Sequence, residues 1–183
     1  LSIDDDLQLA LVQPSFAKQY LAIVCEQRDY LGEWLAWPHL ELNEEFFLNF
    51  IKSSLQGYAE GKSLTCAMIY RGELVGNVSF NQIDNTLRKA EIGYWLSTHY
   101  QGKGIVSRAV THLISYAFSE LKLQKIEIQA AEHNLASRAI CERLNMRLEG
   151  IITNQEKVAE RILDHAIYGI TSDEWIANQA GNG

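Results

Sequence analysis

Leu7, Leu9 and Leu11 alternate with Gln8, Ala10 and Val12, which predicts a short strand. Pro14 suits a first helical turn, and Ala17, Tyr20, Leu21, Val24 and Cys25 then recur at helical spacing. The run Trp34-Leu35-Ala36-Trp37-Pro38 closes that segment, because a residue before proline is pushed away from helix. Asn43 suits the cap of the next helix, with Glu44 and Glu45 in the turn where the dipole favours acids. Phe47, Phe50, Ile51, Leu55 and Tyr58 form its apolar face.

The period then changes from helical to alternating. Leu64, Cys66, Met68 and Tyr70 alternate, Arg71-Gly72-Glu73 turns the chain, and 74–80 runs back. The polar stretch 81–89 reads as a loop, and Ile92, Tyr94 and Leu96 share one face of a strand over 91–96. Beyond Gly104, the stripe Val106, Ala109, Val110, Leu113, Ile114, Ala117 and Leu121 predicts a helix. Ile126, Ile128 and Ala130 mark a strand, Ala136, Ile140 and Leu144 a short helix, and 148–151 and 161–170 two more strands before a polar tail. A meander followed by a strand–helix–strand crossover implies an α/β (α+β) fold, with a mixed sheet and helices on both faces.

The chain has 183 residues, 47% of them hydrophobic, with 12 glycines, two prolines and no repeat. That length supports one domain over 1–183, its core about 7–170, without staples. No apolar stretch approaches the roughly 20 residues of a membrane span. The acidic start, Leu1-Ser2-Ile3-Asp4-Asp5-Asp6, resembles neither a signal nor a transit peptide. The 16 basic and 23 acidic residues leave a net charge of −7, which argues against direct nucleic-acid binding. Cys25, Cys66 and Cys141 lack CxxC spacing, so free thiols in a reducing cytoplasm are expected, and the five histidines show no metal-ligand spacing.

The segment that carries chemistry is Gln101-Gly102-Lys103-Gly104-Ile105-Val106-Ser107, which lies between a strand and a helix. Glycines let backbone approach an anion, and a helix N-terminus offers free N–H groups to a phosphate. A purely conformational strand-to-helix turn explains the same glycines equally well. Gly57-Tyr58-Ala59-Glu60-Gly61-Lys62-Ser63 only mimics a P-loop: its glycines are too close together and it follows a helix. No GxGxxG follows the first strand.

With these residues in view, the chain resembles the GCN5-related N-acetyltransferases (GNAT). Gln101, Gly104 and Val106 stand at the positions of that family's Gln/Arg-x-x-Gly-x-Gly/Ala pattern, Val106 departing from the small residue. Asn134-Leu135-Ala136-Ser137 resembles its Asn-x-x-Ser segment, and Asn145-Met146 replaces its Gly-Phe corner before Glu149-Gly150. Trp34-Leu35-Ala36-Trp37-Pro38, Ile92-Gly93-Tyr94-Trp95-Leu96 and Asp164-His165-Ala166-Ile167-Tyr168-Gly169 look like the ribosomal-protein-alanine/serine branch.

That resemblance implies a mostly antiparallel sheet in which the parallel strands 91–96 and 125–131 splay to hold acetyl-CoA. The 101–107 loop, with Gln101, Gly102, Lys103, Gly104, Ile105, Val106 and Ser107, would hold the pyrophosphate, and backbone near Trp95 or Leu96 the thioester carbonyl. Asn134 would bind the pantetheine arm, or else serve only as a helix cap. Ser137 would hydrogen-bond the departing thiolate, or likewise only cap, and no metal is implied. Glu156 is the candidate base, against the alternative of a solvated loop carboxylate. Asp164, charged within a strand, reads as structural, pairing with a neighbouring Arg, against the alternative of orienting the substrate, and His99 and His165 lack a charged partner visible in sequence.

An α-amine, with a pKa near 7.7–8.0, is neutral in roughly a tenth of molecules at pH 7, a lysine amine in well under a thousandth. A weak, water-relayed base therefore suffices for an α-amine, and the resemblance implies a protein N-terminal α-amine of the ribosomal-protein type as the leading acceptor. The alternatives are a small amine (polyamine, amino acid or aminoglycoside), a non-catalytic acyl-CoA-binding module, or a generic nucleotide-binding α/β domain. A homodimer is an expectation of the resemblance alone.

Overall fold

Alternation along Leu64–Tyr70 sorts one strand between two cores. Cys66, Met68 and Tyr70 enter one apolar cluster, while Ala67 and Ile69 enter the other. A computed structural model describes residues 1–180 of the chain. The strands are β1 (Leu7–Leu11), β2 (Leu64–Tyr70), β3 (Glu73–Asp84), β4 (Lys89–Leu96), β5 (Lys125–Ala131), β6 (Arg147–Val158) and β7 (Arg161–Thr171). They form one sheet in the order β1-β2-β3-β4-β5-β7-β6. Every pairing is antiparallel except that of β4 with β5, as the α/β mixed-sheet expectation requires.

Helices cover both faces. α1 (Ala17–Glu26), the one-turn α2 (Arg28–Leu31) and α3 (Glu44–Ala59) lie on the side of Ala67. α4 (Ile105–Ser119) and α5 (Leu135–Arg143) cover the side of Met68. Asn43 caps α3 as expected, its side chain accepting from the Phe46 N–H at 2.8 Å. The stripe of α4 is buried from Ile105 to Ala117. The acidic N-terminal segment clamps this helix, since Arg108 reaches Asp4 at 2.6 Å and Asp6 at 2.7 Å.

Four expectations are corrected. Residues 81–84 continue β3 and Lys89 already belongs to β4, so the polar loop shrinks to a turn. Ladder bonds come from backbone, which lets polar residues pair wherever one face meets solvent. The tail after 170 is not irregular: Ser172–Ala180 forms α6 and buries Trp175. Its start is a capping box in which Glu174 accepts from the Thr171 N–H at 2.8 Å and returns its own N–H to Thr171 Oγ1 at 3.3 Å. On α3, Phe50 and Tyr58 are exposed rather than buried. Leu121 lies past the end of α4 and is exposed too.

The parallel pairing is brief. β4 and β5 pair from Lys89↔Lys125 to Ile92↔Ile128 and then part. β4 stays bonded to β3 as far as Leu96, and β5 to β7 as far as Ala131. A wedge therefore opens inside the sheet. At its closed end Lys89 and Lys125 face each other across the ladder, and Glu127 receives both ammonium groups at 2.9 Å. Glu149 adds a 2.7 Å contact to Lys125. Partial burial works against the charged form of Glu127, but the two lysines outweigh it and hold its carboxyl below the ordinary 4.5.

Replacing Glu127 by Gln leaves two lysines opposed without a carboxylate. It is expected to cost about 1–2 kcal/mol, a fall of roughly 2–8 °C in thermal midpoint. Because the folded-state pKa is lowered, this contribution is present above the ordinary carboxylate range and lost as pH falls below it. Melting curves of wild type and Glu127→Gln should therefore converge in acid.

Candidate active site

The turn that follows β4 is held from a distance. Gln27, buried between α1 and α2, donates to Ser97 Oγ at 2.9 Å and accepts from the Thr98 N–H at 2.8 Å. The chain then passes Gly102 and Gly104, whose φ angles of +73° and +67° lie in the left-handed region. Neither glycine has an atom within 4 Å of the place a Cβ would take, so backbone conformation, not crowding, selects glycine there. Gly104 caps α4, and the first intrahelical bond runs from the Arg108 N–H to the Gly104 carbonyl. The N–H groups of Ile105, Val106 and Ser107 are left for another acceptor.

These groups face a cavity of about 650 Å³ that runs along the open arm of β4 to the start of α5. Trp95, Leu96, Gln101, Gly102, Gly104, Ile105, Val106, Ser107, Asn134 and Ser137, which the resemblance assigns to the cofactor or the transfer step, all line it. Lys103 does not. Its ammonium lies 5.0 Å from the Tyr100 ring and 5.6 Å from the Tyr70 ring, turned onto aromatic faces. The cation that does line the cavity is Arg143, at the end of α5, 3.4 Å from Ser107 Oγ. No spacing motif marked Arg143; only the return of α5 onto the first turn of α4 brings it here. Among the described residues the lining contains no Asp or Glu, although the chain carries a net charge of −7. Free N–H groups, a guanidinium and no carboxylate fit a polyphosphate-bearing ligand such as a coenzyme A thioester.

A second cavity, about 410 Å³, occupies the wedge on the other side of Tyr94 and is lined by Glu91, Gln129, Gln155, Glu156 and His165. It shares Trp34, Leu35, Tyr94, Asn134 and Ser137 with the first. Asn134 caps α5, its side chain accepting from the Ser137 N–H at 3.2 Å. That leaves the Ser137 hydroxyl free of capping and directed elsewhere. Glu91 is tied down, one oxygen accepting from Asn81 and the other from Gln129, each at 3.0 Å. Glu156 lies 3.2 Å from His165 Nε2, a partner that sequence could not reveal because β6 and β7 supply one residue each. His99 instead lies at the surface beside Glu26.

Asp164 proves structural, and usefully so. The register of β6 on β7 shifts between Ile152 and Glu156, and Asn154 adopts a φ of +54° in that bulge. Asp164 Oδ1 accepts from the Asn154 N–H at 2.8 Å and so pins the bulge that precedes Glu156.

Gly104→Asp adds a carboxylate where an anion is expected and forces a side chain into the left-handed region, at a cost on the order of 1–2 kcal/mol. Calorimetric titration should find no measurable coenzyme A binding in this variant. Arg143→Ala should weaken binding by about tenfold, the worth of one charge-assisted hydrogen bond. Unchanged affinity in both would remove the loop and α5 from the ligand site.

Similarity to known proteins bears on this geometry. Residues 6–147 match the family model described as an acetyltransferase (GNAT) domain. YdaF of Bacillus subtilis (strain 168), a candidate ribosomal N-acetyltransferase by its name, is 30% identical over 94% of this chain and 95% of its own. The ribosomal-protein-serine acetyltransferase of Escherichia coli (strain K12) is 27% identical over 92% and 94%. A crystal structure of the microcin C7 self-immunity acetyltransferase MccE, in complex with acetyl-CoA and AMP, superposes with a TM-score of 0.88 at 29% identity, covering 92% of this chain and 94% of that one. The cavity chemistry, the opened parallel pair and the family match agree: the chain belongs to the GNAT family and is an acetyl-CoA-dependent N-acetyltransferase.

Proposed function

We propose that the acceptor is the α-amine of a protein N-terminus, of the ribosomal-protein type, with Glu156 as the base and Ser137 as hydrogen-bond donor to the departing sulfur. The observation that carries this reading is the meeting of the two cavities at Asn134, Ser137 and Tyr94. On one side lie the groups suited to phosphates; on the other lies Glu156, the carboxylate there whose oxygens are not both engaged by amides. The E. coli relative, named for ribosomal-protein serine acetylation, supports the same acceptor class.

Acetyl-CoA supplies the acetyl thioester. Backbone N–H groups of α4 and Arg143 hold its phosphates, and the 95–96 backbone is the candidate donor to its carbonyl oxygen. Glu156 accepts the proton that the attacking nitrogen must lose as the carbon–nitrogen bond forms. Ser137 donates to sulfur as the carbon–sulfur bond breaks and the electron pair moves onto it. An α-amine needs only modest assistance, since roughly a tenth is already neutral at pH 7.

A second reading rests on a further cavity of about 600 Å³, lined by Tyr20, Trp37, Phe46, Phe47, Phe50 and Trp95, with no charged side chain among the described residues. Such walls suit a small amine that carries an uncharged ring, and the MccE structure holds AMP beside acetyl-CoA. They suit a polyamine poorly, because a polycation is recognised by carboxylates.

Release of free thiol separates these acceptors. Peptides with an open N-terminus should be acetylated, and the same peptides blocked at the α-amine but containing lysine should not. Faster turnover of spermidine, or of a small amine carrying an uncharged ring, would overturn the N-terminal reading in favour of a small amine. Glu156→Gln should lower kcat/KM by roughly 10²- to 10⁴-fold. Full activity across pH would exclude Glu156 as the base.

A further inference from the structure

Tyr94 crosses the wedge. It lies two residues beyond the last β4–β5 pair, yet its hydroxyl is 2.9 Å from Ser137 Oγ and 3.3 Å from the Ser137 carbonyl oxygen on α5. Its side chain forms a wall of all three cavities, the place where cofactor and acceptor must meet. Burial pushes the Tyr94 hydroxyl far above the usual phenol range, so it remains a neutral donor at working pH. Cys141 and Arg143 on α5 are the titratable side chains that act on it.

Ser137 Oγ carries one proton and two lone pairs. Asn134 already satisfies the α5 terminus, so this hydroxyl has no capping duty. Either hydroxyl can donate across the 2.9 Å contact; when Tyr94 donates there rather than to the more distant Ser137 carbonyl, a serine lone pair is occupied and the serine proton is left to point into the cofactor channel. Linked hydrogen bonds also polarise one another, which makes the serine a better donor.

We propose that Tyr94 is a positioning residue for the transfer step, its hydroxyl donating to Ser137 Oγ and turning the serine O–H toward the thioester sulfur. This rests on the reading of Ser137 given above. No proton leaves Tyr94 or Ser137: as the carbon–sulfur bond breaks, the electron pair moves onto sulfur, and the serine O–H donates to it. Because sulfur gains charge only as the bond breaks, the contribution falls on kcat rather than on cofactor affinity.

The test is a double-mutant cycle on the full chain, with acetyl-CoA and the best acceptor peptide. Tyr94→Phe should lower kcat by roughly 5- to 30-fold with KM for acetyl-CoA unchanged. In a Ser137→Ala background the same change should produce no further loss. If Ser137→Ala is slow but Tyr94→Phe matches wild type, the Tyr94 inference alone is overturned. An equal loss from Tyr94→Phe in both backgrounds, or a rise in KM at constant kcat, overturns it as well. Full kcat in Ser137→Ala overturns the reading of Ser137 itself and the inference with it. If Tyr94→Phe does not fold, 3,5-difluorotyrosine at position 94 keeps the shape and makes the phenol more acidic. Once ionised it can only accept, so it draws the serine proton away from sulfur. A new alkaline limb in kcat, absent in Ser137→Ala, is expected, and its absence counts against the inference.

Discussion

The structure depends on where β4 lets go of β5. After Ile92↔Ile128 the two parallel strands are held only by their outer neighbours, β3 on one side and β7 on the other. A sheet interrupted in its middle exposes backbone donors and acceptors that ordinarily would be paired, a cost tolerated where a ligand takes the place of a strand. At the closed end, Glu127 between Lys89 and Lys125 turns two opposed like charges into an attraction. At the open end, Tyr94 reaches Ser137 on α5. Polar contacts thus stand at both ends of the wedge.

Charge is then divided along this wedge. A chain of net charge −7 would repel a polyphosphate in general, yet the channel beside α4 is lined by an arginine and by free helix N–H groups, with no carboxylate among the described residues. The carboxylates lie on the opposite side, where Glu91 is immobilised by two amides and Glu156 faces His165. The two sides of the same junction thus differ in charge, one suited to an anion and the other to an amine. The bulge pinned by Asp164 sets where Glu156 enters it, which explains a charged residue within a strand as a matter of backbone geometry.

Much of this was legible before any coordinates. Alternation in β2 and the stripe of α4 announced the elements correctly, because burial on one face enforces period 2 in a strand and 3.6 in a helix. The glycines at 102 and 104 were readable since few other residues adopt their φ. The helix at the C-terminus was readable as well, from Thr171 and Glu174 spaced as a capping box, a signal outweighed by the polar composition of the tail. Lys103 misled, because charge in a loop says nothing about the direction of a flexible side chain, and two aromatic rings claim it.

By itself, then, the sequence determined the order and type of most elements up to β7 and the phosphate-suited turn before α4, while Ser137 and Glu156 came from the motifs shared with the family. The elements and the turn are carried by neighbours within a few positions. The tertiary structure alone decided what faces what: Arg143 in place of Lys103 at the channel, His165 beside Glu156, and Tyr94 against Ser137. These pairs join residues from separate strands and helices. Their meeting is a property of sheet register and helix packing, which no local pattern of residues encodes.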